Sequence, residues 1–440
     1  MYSISRNVKH ASSLKSLSAI SSRGVANARD NFKYLVGTYV RPDIEFTHGE
    51  GVHLYDSDGR EYLDFAAGIA VNALGHSHPA WVKTVNEYSS KLVHVSNLFH
   101  TQPAAQLAKS LVEHSFADKV FFCNSGTEAN EAAIKFARKW AHVNYPNHQK
   151  NKVVSFSGGF HGRTMGALSI TPNPNYQDAF RPLIGNVHTA DFNNTETLSQ
   201  HIDSQTCAAV VEPIQGESGV TPARDEFLVA LRKICDEKNV LLVFDEVQCG
   251  LGRTGRLWGH ESDTIDVKPD IMTLAKPLAG GLPIGAVLVT DAVSSTIKPG
   301  DHGSTFSGGP LVCAAAQTTF DIINSDTFLS NVRANGEYLV NGLESLRAKY
   351  PDLVSQVRGR GLMMGMVLTC PVADVVTKAR GNGVLVISAG PNVLRMLPPL
   401  IVEKKHIDHA LEVIDNALAA QDLSGAYKWG KSVPDRFQVQ

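Results

Sequence analysis

Residues 241–255 read LLVFDEVQCGLGRTG: an apolar run ends at Phe244, two acids follow side by side, and a glycine-rich turn comes next. A short apolar run closed by turn residues has the pattern of a strand buried on both faces. A carboxylate at the end of such a strand is unfavourable unless a cation or hydrogen-bond donors meet it. The same arrangement recurs along the chain. KVFFCN, KVVSFSG, AAVVEPI, IMTLAK and IGAVLVT are further strand candidates, and the helical pattern TEANEAAIKFARKWA follows the first of them. Strands and helices in alternation imply an α/β fold with a large, mostly parallel sheet. In such sheets ligands sit beyond the carboxyl ends of the strands. Asn124 and Ser125, Glu212, Asp245 and Lys276 all fall at those ends.

Outside this body the text changes. GVHLYDSDGREYLDF, residues 51–65, is patterned as a hairpin around an Asp56–Gly59 turn. Beyond about Phe320, amphipathic helix alternates with LMMGMVL, GVLVIS and VLRMLPPL, the composition of a smaller α+β domain that ends in the helix KKHIDHALEVIDNALAAQ. The expected division is a leader at 1–30, a segment at 31–90 that contributes to the small domain, a large domain at 91–320, a C-terminal small domain at 321–424 and a tail at 425–440. The leader carries Arg6, Lys9, Lys15, Arg23 and Arg29, many serines and no acid before Asp30, with Leu14, Leu17 and Ile20 at helical spacing. That is the composition of a mitochondrial transit peptide.

The chain has 440 residues, 43% hydrophobic and 19% charged, enough for more than one domain. A net charge of -2 argues against nucleic-acid binding. No apolar run is long enough to span a bilayer. The six cysteines are scattered with no CxxC pair, which implies reduced thiols and no metal site.

Lys276 in IMTLAKPLAGGLPIG sits where an apolar strand ends. Desolvation would lower its pKa and make it a nucleophilic amine; taken alone, it also reads as a lysine capping a strand into solvent. Ser125, Gly126 and Thr127 open a helix, so their N–H groups and hydroxyls suit a phosphate, or ordinary N-capping. SFSGGFHGRTMGALS, residues 155–169, supplies Phe160, His161 and Arg163: a ring to stack on a flat ligand and a guanidinium to clamp a carboxylate. His161 receives no role, and Glu246 is expected in a structural salt bridge. Together a phosphate site, a strand-end amine, a stacking ring and a buried carboxylate are the parts needed to hold pyridoxal 5′-phosphate. The cation facing Asp245 would be the protonated pyridine nitrogen, in a charge-assisted bond worth roughly 1.5–3 kcal/mol.

With those residues in place, the chain resembles the class III (ornithine-type) aminotransferases from about Tyr39 to Leu400. YLDFAAGIAVNALGHSHP, FFCNSGTEANEAAIKFARK, FHGRTMGALSITPN, VEPIQGESGV, FDEVQCGLGRTG, LAKPLAGGLPIGA, DHGSTFSGGPL and LRMLPPL follow in the family's order. The resemblance implies the aspartate aminotransferase-like fold (fold type I of the pyridoxal-phosphate enzymes). It implies that Lys276 binds the cofactor covalently and then shuttles a proton, with Asp245 on the ring nitrogen, Gln248 on the phenolic oxygen and Phe160 stacked on the ring. Ser125, Gly126 and Thr127 would hold the phosphate, and Thr305 would reach the phosphate of a neighbouring subunit, so that a homodimer shares its active sites. Arg163 would bind the substrate's distal carboxylate. Glu217 would neutralise Arg395 for one substrate and swing away for the other. The pattern departs from the family at Ser307-Gly308-Gly309-Pro310, usually Gly-Gly-Asn-Pro, and at Ser218, frequently glycine.

Ornithine-specific relatives usually carry a tyrosine at the position of Ile69, in contact with the free α-amino group. Isoleucine offers no hydrogen bond, which favours N-acetylornithine, with 2-oxoglutarate and glutamate as the second pair, in the mitochondrial matrix. Ornithine or another ω-amino acid is the alternative substrate. Two rival functions remain on this scaffold: another pyridoxal-phosphate reaction, such as a mutase or decarboxylase, and a silent homologue, against which the intact Lys276 and Asp245 argue. A dinucleotide-binding protein fails on context, because no strand is followed by G-x-G-x-x-G opening a helix.

Overall fold

A strand buried on both faces sends alternate side chains to opposite layers. Leu241–Asp245 does this: Leu241 and Val243 pack in one apolar cluster, Leu242 and Phe244 in another. The strand lies at the centre of a seven-stranded sheet in the computed structural model, which describes residues 30–147 and 149–421. The expected leader (but for Asp30) and the tail lie outside the described residues.

In chain order the seven strands are β1 Lys119–Cys123, β2 Lys152–Phe156, β3 Val187–Ala190, β4 Thr206–Val211, β5 Leu241–Asp245, β6 Ile271–Leu274 and β7 Gly285–Val289. Their spatial order is β1-β7-β6-β5-β4-β2-β3. Only β7 runs against its neighbours; the pairs β6–β5, β5–β4, β4–β2 and β2–β3 are parallel. The expectation of a large, mostly parallel sheet is borne out.

One face is covered by helix α1, Gly126–Asn144. Ser125 caps it, its Oγ accepting the Glu128 N–H at 3.2 Å, and Glu128 reaches back to the Asn124 N–H at 2.6 Å. Pro146, just past its C-cap, cannot continue it. Its inner face is small, with Ala129, Ala132, Ala133, Ala137 and Ala141 all buried, so it can lie close to the valines of the sheet. The opposite face is covered by the helix Asp225–Lys238 through Phe227, Leu228 and Leu231.

Two four-stranded sheets make up the smaller part. The expected hairpin is present as His53–Asp56 against Glu61–Asp64, and the latter pairs in parallel with the distant Val384–Leu385. The other sheet orders Val354–Arg360, Met363–Leu368, Val393–Met396 and Ile387–Ser388. Arg253, fully buried in the turn after β5, donates to the Leu362 carbonyl at 3.1 Å and the Pro398 carbonyl at 2.5 Å, joining the large sheet to the ends of two strands of the smaller one. The chain up to Glu45 is a separate unit; its described part begins with one turn of 3₁₀ helix, Asp30–Tyr34.

Residues Ala67–Ala70 form a left-handed turn, with φ of 48° at Ala67, 63° at Gly68, 64° at Ile69 and 64° at Ala70. Each non-glycine residue there costs about 1–2 kcal/mol. Asp64 holds the turn: its Oδ1 accepts the Ala66 and Ala67 N–H groups at 2.9 and 2.8 Å, and its Oδ2 lies 2.8 Å from His76 Nε2.

Phe227 is fully buried, edge-on to Phe156 at 5.3 Å and to Phe192 at 5.5 Å. Phe227→Ala should destabilise the fold by about 3–5 kcal/mol. Urea denaturation followed by far-ultraviolet circular dichroism measures this, and a loss below about 1 kcal/mol would contradict the packing described.

Candidate active site

The strand ends converge as their sequence positions imply. A cavity of about 280 Å³ opens beyond the carboxyl edge of the sheet, lined by Asn124 and Ser125 after β1, Glu212 after β4, Asp245 of β5 and Lys276 after β6. Gly126, Thr127, Phe160, Glu217 and Gln248 also line it.

The two adjacent acids diverge by strand alternation. Asp245, in phase with Leu241 and Val243, faces the α1 side, where its Oδ2 accepts from Asn130 Nδ2 at 2.8 Å and meets His161 Nδ1 at 2.7 Å; its Oδ1 accepts the Val247 N–H at 3.0 Å. Burial disfavours a charged His161, but the hydrogen bond and the charge of Asp245 outweigh it and raise the imidazole's pKa. His161 is thus the buried partner of Asp245, a place the sequence reading left blank. Asn130, 1% exposed and the one polar side chain among the buried residues of α1, was missed entirely. A polar residue in that stripe was the available signal. Glu246 turns the other way and ties down the next loop, accepting the Gly259 and His260 N–H groups at 2.6 and 2.9 Å and meeting the His260 ring at 2.5 Å. Its expected structural pairing is therefore with a histidine.

Lys276 is half-buried, and its amine has no hydrogen-bond or ion-pair partner among the described residues. Burial lowers its pKa and Arg395 adds to this, while Asp245 opposes it. Glu212, fixed at a strand end without a role by the sequence, joins two loops: its Oε2 accepts the Phe160 N–H at 2.9 Å and its Oε1 the Gly216 N–H at 3.2 Å. Burial, with the nearby Asp245 anion, raises its carboxyl to about 7 against the pull of His161.

Three predicted residues lie outside the cavity lining. Arg395 is buried just behind it, donating to the Gly216 carbonyl at 2.8 Å and to Gln248 Oε1 at 3.5 Å, and its Nη2 is 3.7 Å from Glu217 Oε2. The pair is loose: Glu217 is 36% exposed, and its other oxygen accepts from the Tyr176 hydroxyl at 3.3 Å. Arg163 is exposed and stacked, 3.6 Å from the Tyr176 ring centre and 5.4 Å from that of Phe160. Thr305 is exposed on the loop before Pro310. At the two departures from the family pattern, Ser307 is held by Asn97, whose Nδ2 reaches the Ser307 carbonyl at 3.0 Å and its Oγ at 2.9 Å, and Ser218 Oγ donates to the Gly158 carbonyl at 2.6 Å.

Residues 37–418 match the family described as Aminotransferase class-III. The chain belongs to the class III aminotransferases, a family of pyridoxal 5′-phosphate enzymes, and has their fold. It is 52% identical to the mitochondrial acetylornithine aminotransferase of Alnus glutinosa over 89% of this chain and 87% of that one. It is 50% identical to the probable mitochondrial acetylornithine aminotransferase of Dictyostelium discoideum, over 87% and 86%. Among solved structures, the N-acetylornithine aminotransferase of Stenotrophomonas maltophilia K279a superposes with a TM-score of 0.77 at 37% identity, covering 89% of this chain and 98% of that one. The ornithine aminotransferase of Toxoplasma gondii ME49 gives 0.85 at 30% identity, covering 92% and 96%.

The side chains present fit that cofactor. An unpaired amine suits its aldehyde, the first-turn N–H groups of α1 suit its phosphate, and a buried carboxylate suits a cationic ring nitrogen.

Glu212 gives the site a pH signature in the cofactor-free protein. Its folded pKa of about 7 lies above the ordinary 4.5, so the folded chain holds a proton that the unfolded chain has lost between those values. Its contribution is complete below pH 4.5 and is lost as pH rises through about 7. Relative to wild type, Glu212→Gln should therefore gain stability from pH 5 to pH 8, by on the order of 2–3 kcal/mol. Thermal unfolding at both pH values is the measurement; a constant difference would refute a protonated Glu212.

Proposed function

We propose that this chain is an acetylornithine aminotransferase, moving the δ-amino group of N2-acetyl-L-ornithine to 2-oxoglutarate to give N-acetyl-L-glutamate 5-semialdehyde and L-glutamate. The observation that carries the reaction is the unpaired Lys276 amine sharing one cavity with the hydrogen-bonded Asp245 carboxylate. The substrate is supported by relatives of that name at 44–52% identity.

Pyridoxal 5′-phosphate, when bound, supplies an aldehyde that condenses with amines and a ring that withdraws electrons from the reacting carbon. Lys276 would hold it covalently, Asp245 would keep its ring nitrogen protonated, Gln248 would meet its phenolic oxygen and Phe160 would stack on its face. Ser125, Gly126 and Thr127 would hold its phosphate. Once released, Lys276 Nζ would take the proton from the substrate's reacting carbon and deliver it to that of the cofactor, and burial favours the uncharged amine that can do so. His161 and Asn130 hold the Asp245 carboxylate in place. Arg163 binds the distal carboxylate at the rim. Glu217 neutralises Arg395 for acetylornithine and leaves it free for the carboxylate of 2-oxoglutarate.

Thr305, exposed on its loop, would serve the phosphate of a second copy, so the active unit is a homodimer with shared sites. The large domain spans 91–320, and of the expected segment 31–90 the part after Glu45 joins 321–424 in the small one. The basic leader and the mitochondrial relatives support an enzyme of the mitochondrial matrix.

The purified enzyme should show a visible absorption band that acetylornithine removes and 2-oxoglutarate restores. Lys276→Ala should abolish turnover by at least about 10³-fold while leaving the circular dichroism spectrum unchanged. Turnover of ornithine equal to or better than that of acetylornithine would transfer the assignment to the ornithine enzymes. A sedimentation mass of one chain in the holoenzyme would remove the shared site.

A further inference from the structure

The hairpin Ile214–Gln215 / Thr221–Pro222 carries Glu217 in its tip, Gly216–Val220. The tip rests on the smaller sheet, and the register there is informative. Arg358 pairs with Gly365, and Gly365 pairs with Arg395, so the three stand in one row across three antiparallel strands. Directly paired residues share a face. The two arginines therefore flank a gap left by Gly365, and Val220 fills it: a Cβ on Gly365 would stand 3.0 Å from that of Val220.

Each arginine grips the tip on one side of Glu217. Arg395 Nη1 donates to the Gly216 carbonyl at 2.8 Å, and Arg358 Nε donates to the Gly219 carbonyl at 2.6 Å. Gly219 is needed for the second grip, because its Cβ would stand 2.1 Å from Arg358 Nη2 at a φ of 85°. Val220 beside it has a φ of 54°, a strained conformation for a buried β-branched residue that the surroundings must hold. Arg358 is half-buried and makes no ion pair among the described residues; burial lowers its pKa. A cation kept from carboxylates and spent on one carbonyl beside Glu217 calls for an explanation.

We propose that Arg358 is a positioning residue for the substrate switch: it clasps the hairpin tip at Gly219 so that the Glu217 side chain stays within reach of Arg395 and moves alone, on a fixed backbone, when Arg395 takes a carboxylate. This rests on the reading of Glu217 and Arg395 given above. Without the clasp, Glu217 spends less time against Arg395, which then presents bare charge to a donor that has no carboxylate at that point. Acetylornithine needs the pair; glutamate, which brings its own carboxylate, does not.

The test is to measure the two half-reactions separately in the holoenzyme of Arg358→Met, by the spectral change each donor causes. The kcat/KM for acetylornithine should fall by about tenfold, the order of one charge-assisted hydrogen bond, while that for glutamate should stay within about threefold. Hydrogen exchange of the amides at 216–221 should quicken, with the rest of the chain unaltered. An equal fall in both half-reactions, or unchanged exchange in the hairpin, overturns the proposal. If Arg358→Met does not fold, Arg358→Lys, which keeps the charge and loses the planar grip, carries the test on the same two criteria. A wild-type enzyme that responds to neither donor refutes the functional reading instead, so the two failures are distinguishable.

Discussion

The site depends on an anion kept in a dry place. Asp245 is 3% exposed, and its charge there is tolerated because Asn130, His161 and the Val247 amide all donate to it or face it. Those donors come from α1, from the loop after β2 and from the turn after β5, so the carboxylate is built by the whole α/β layer. Coulombic attraction is stronger in such surroundings than in water, which lets one carboxylate influence both His161 and Lys276.

The cations near the site are handled differently from the anion. Among the described residues Lys276 has no partner, Arg395 is shared between a carbonyl, Gln248 and a distant Glu217, and Arg358 and Arg253 are spent on backbone carbonyls. Arg253 is fully buried, and burial pulls its guanidinium down to about 9, still charged at neutral pH. Hydrogen-bonding a buried cation to carbonyls avoids leaving it bare yet leaves the positive field unneutralised.

Much of this was legible in the chain. Apolar runs closed by Gly, Pro or acids marked six of the seven large-sheet strands, because strands covered on both faces must be apolar throughout. The seventh, Val187–Ala190, is an edge strand with His188 and Thr189 exposed, so it carries no such run. The cavity residues at strand ends were also legible, since fold topology fixes where strand ends meet. The partners of Asn130, Tyr176 and His161 were not: Asn130 and His161 meet Asp245 across 115 and 84 positions and Tyr176 meets Glu217 across 41, and a residue's immediate neighbours do not encode such a partner. The cross-strand row of Arg358, Gly365 and Arg395 was hidden for the same reason, because register appears only once strands are paired.

The left-handed turn at Ala67–Ala70 has a bearing on how this scaffold diversifies. Its shape is imposed through main-chain amides by Asp64, not by whatever side chain stands at 69, which projects 44% exposed two residues before the cavity-lining Val71. Because the Asp64 contacts are to main-chain amides, that side chain can be exchanged without disturbing the turn. The scaffold can thus vary at position 69 while keeping the backbone path that leads to Val71 and the cavity.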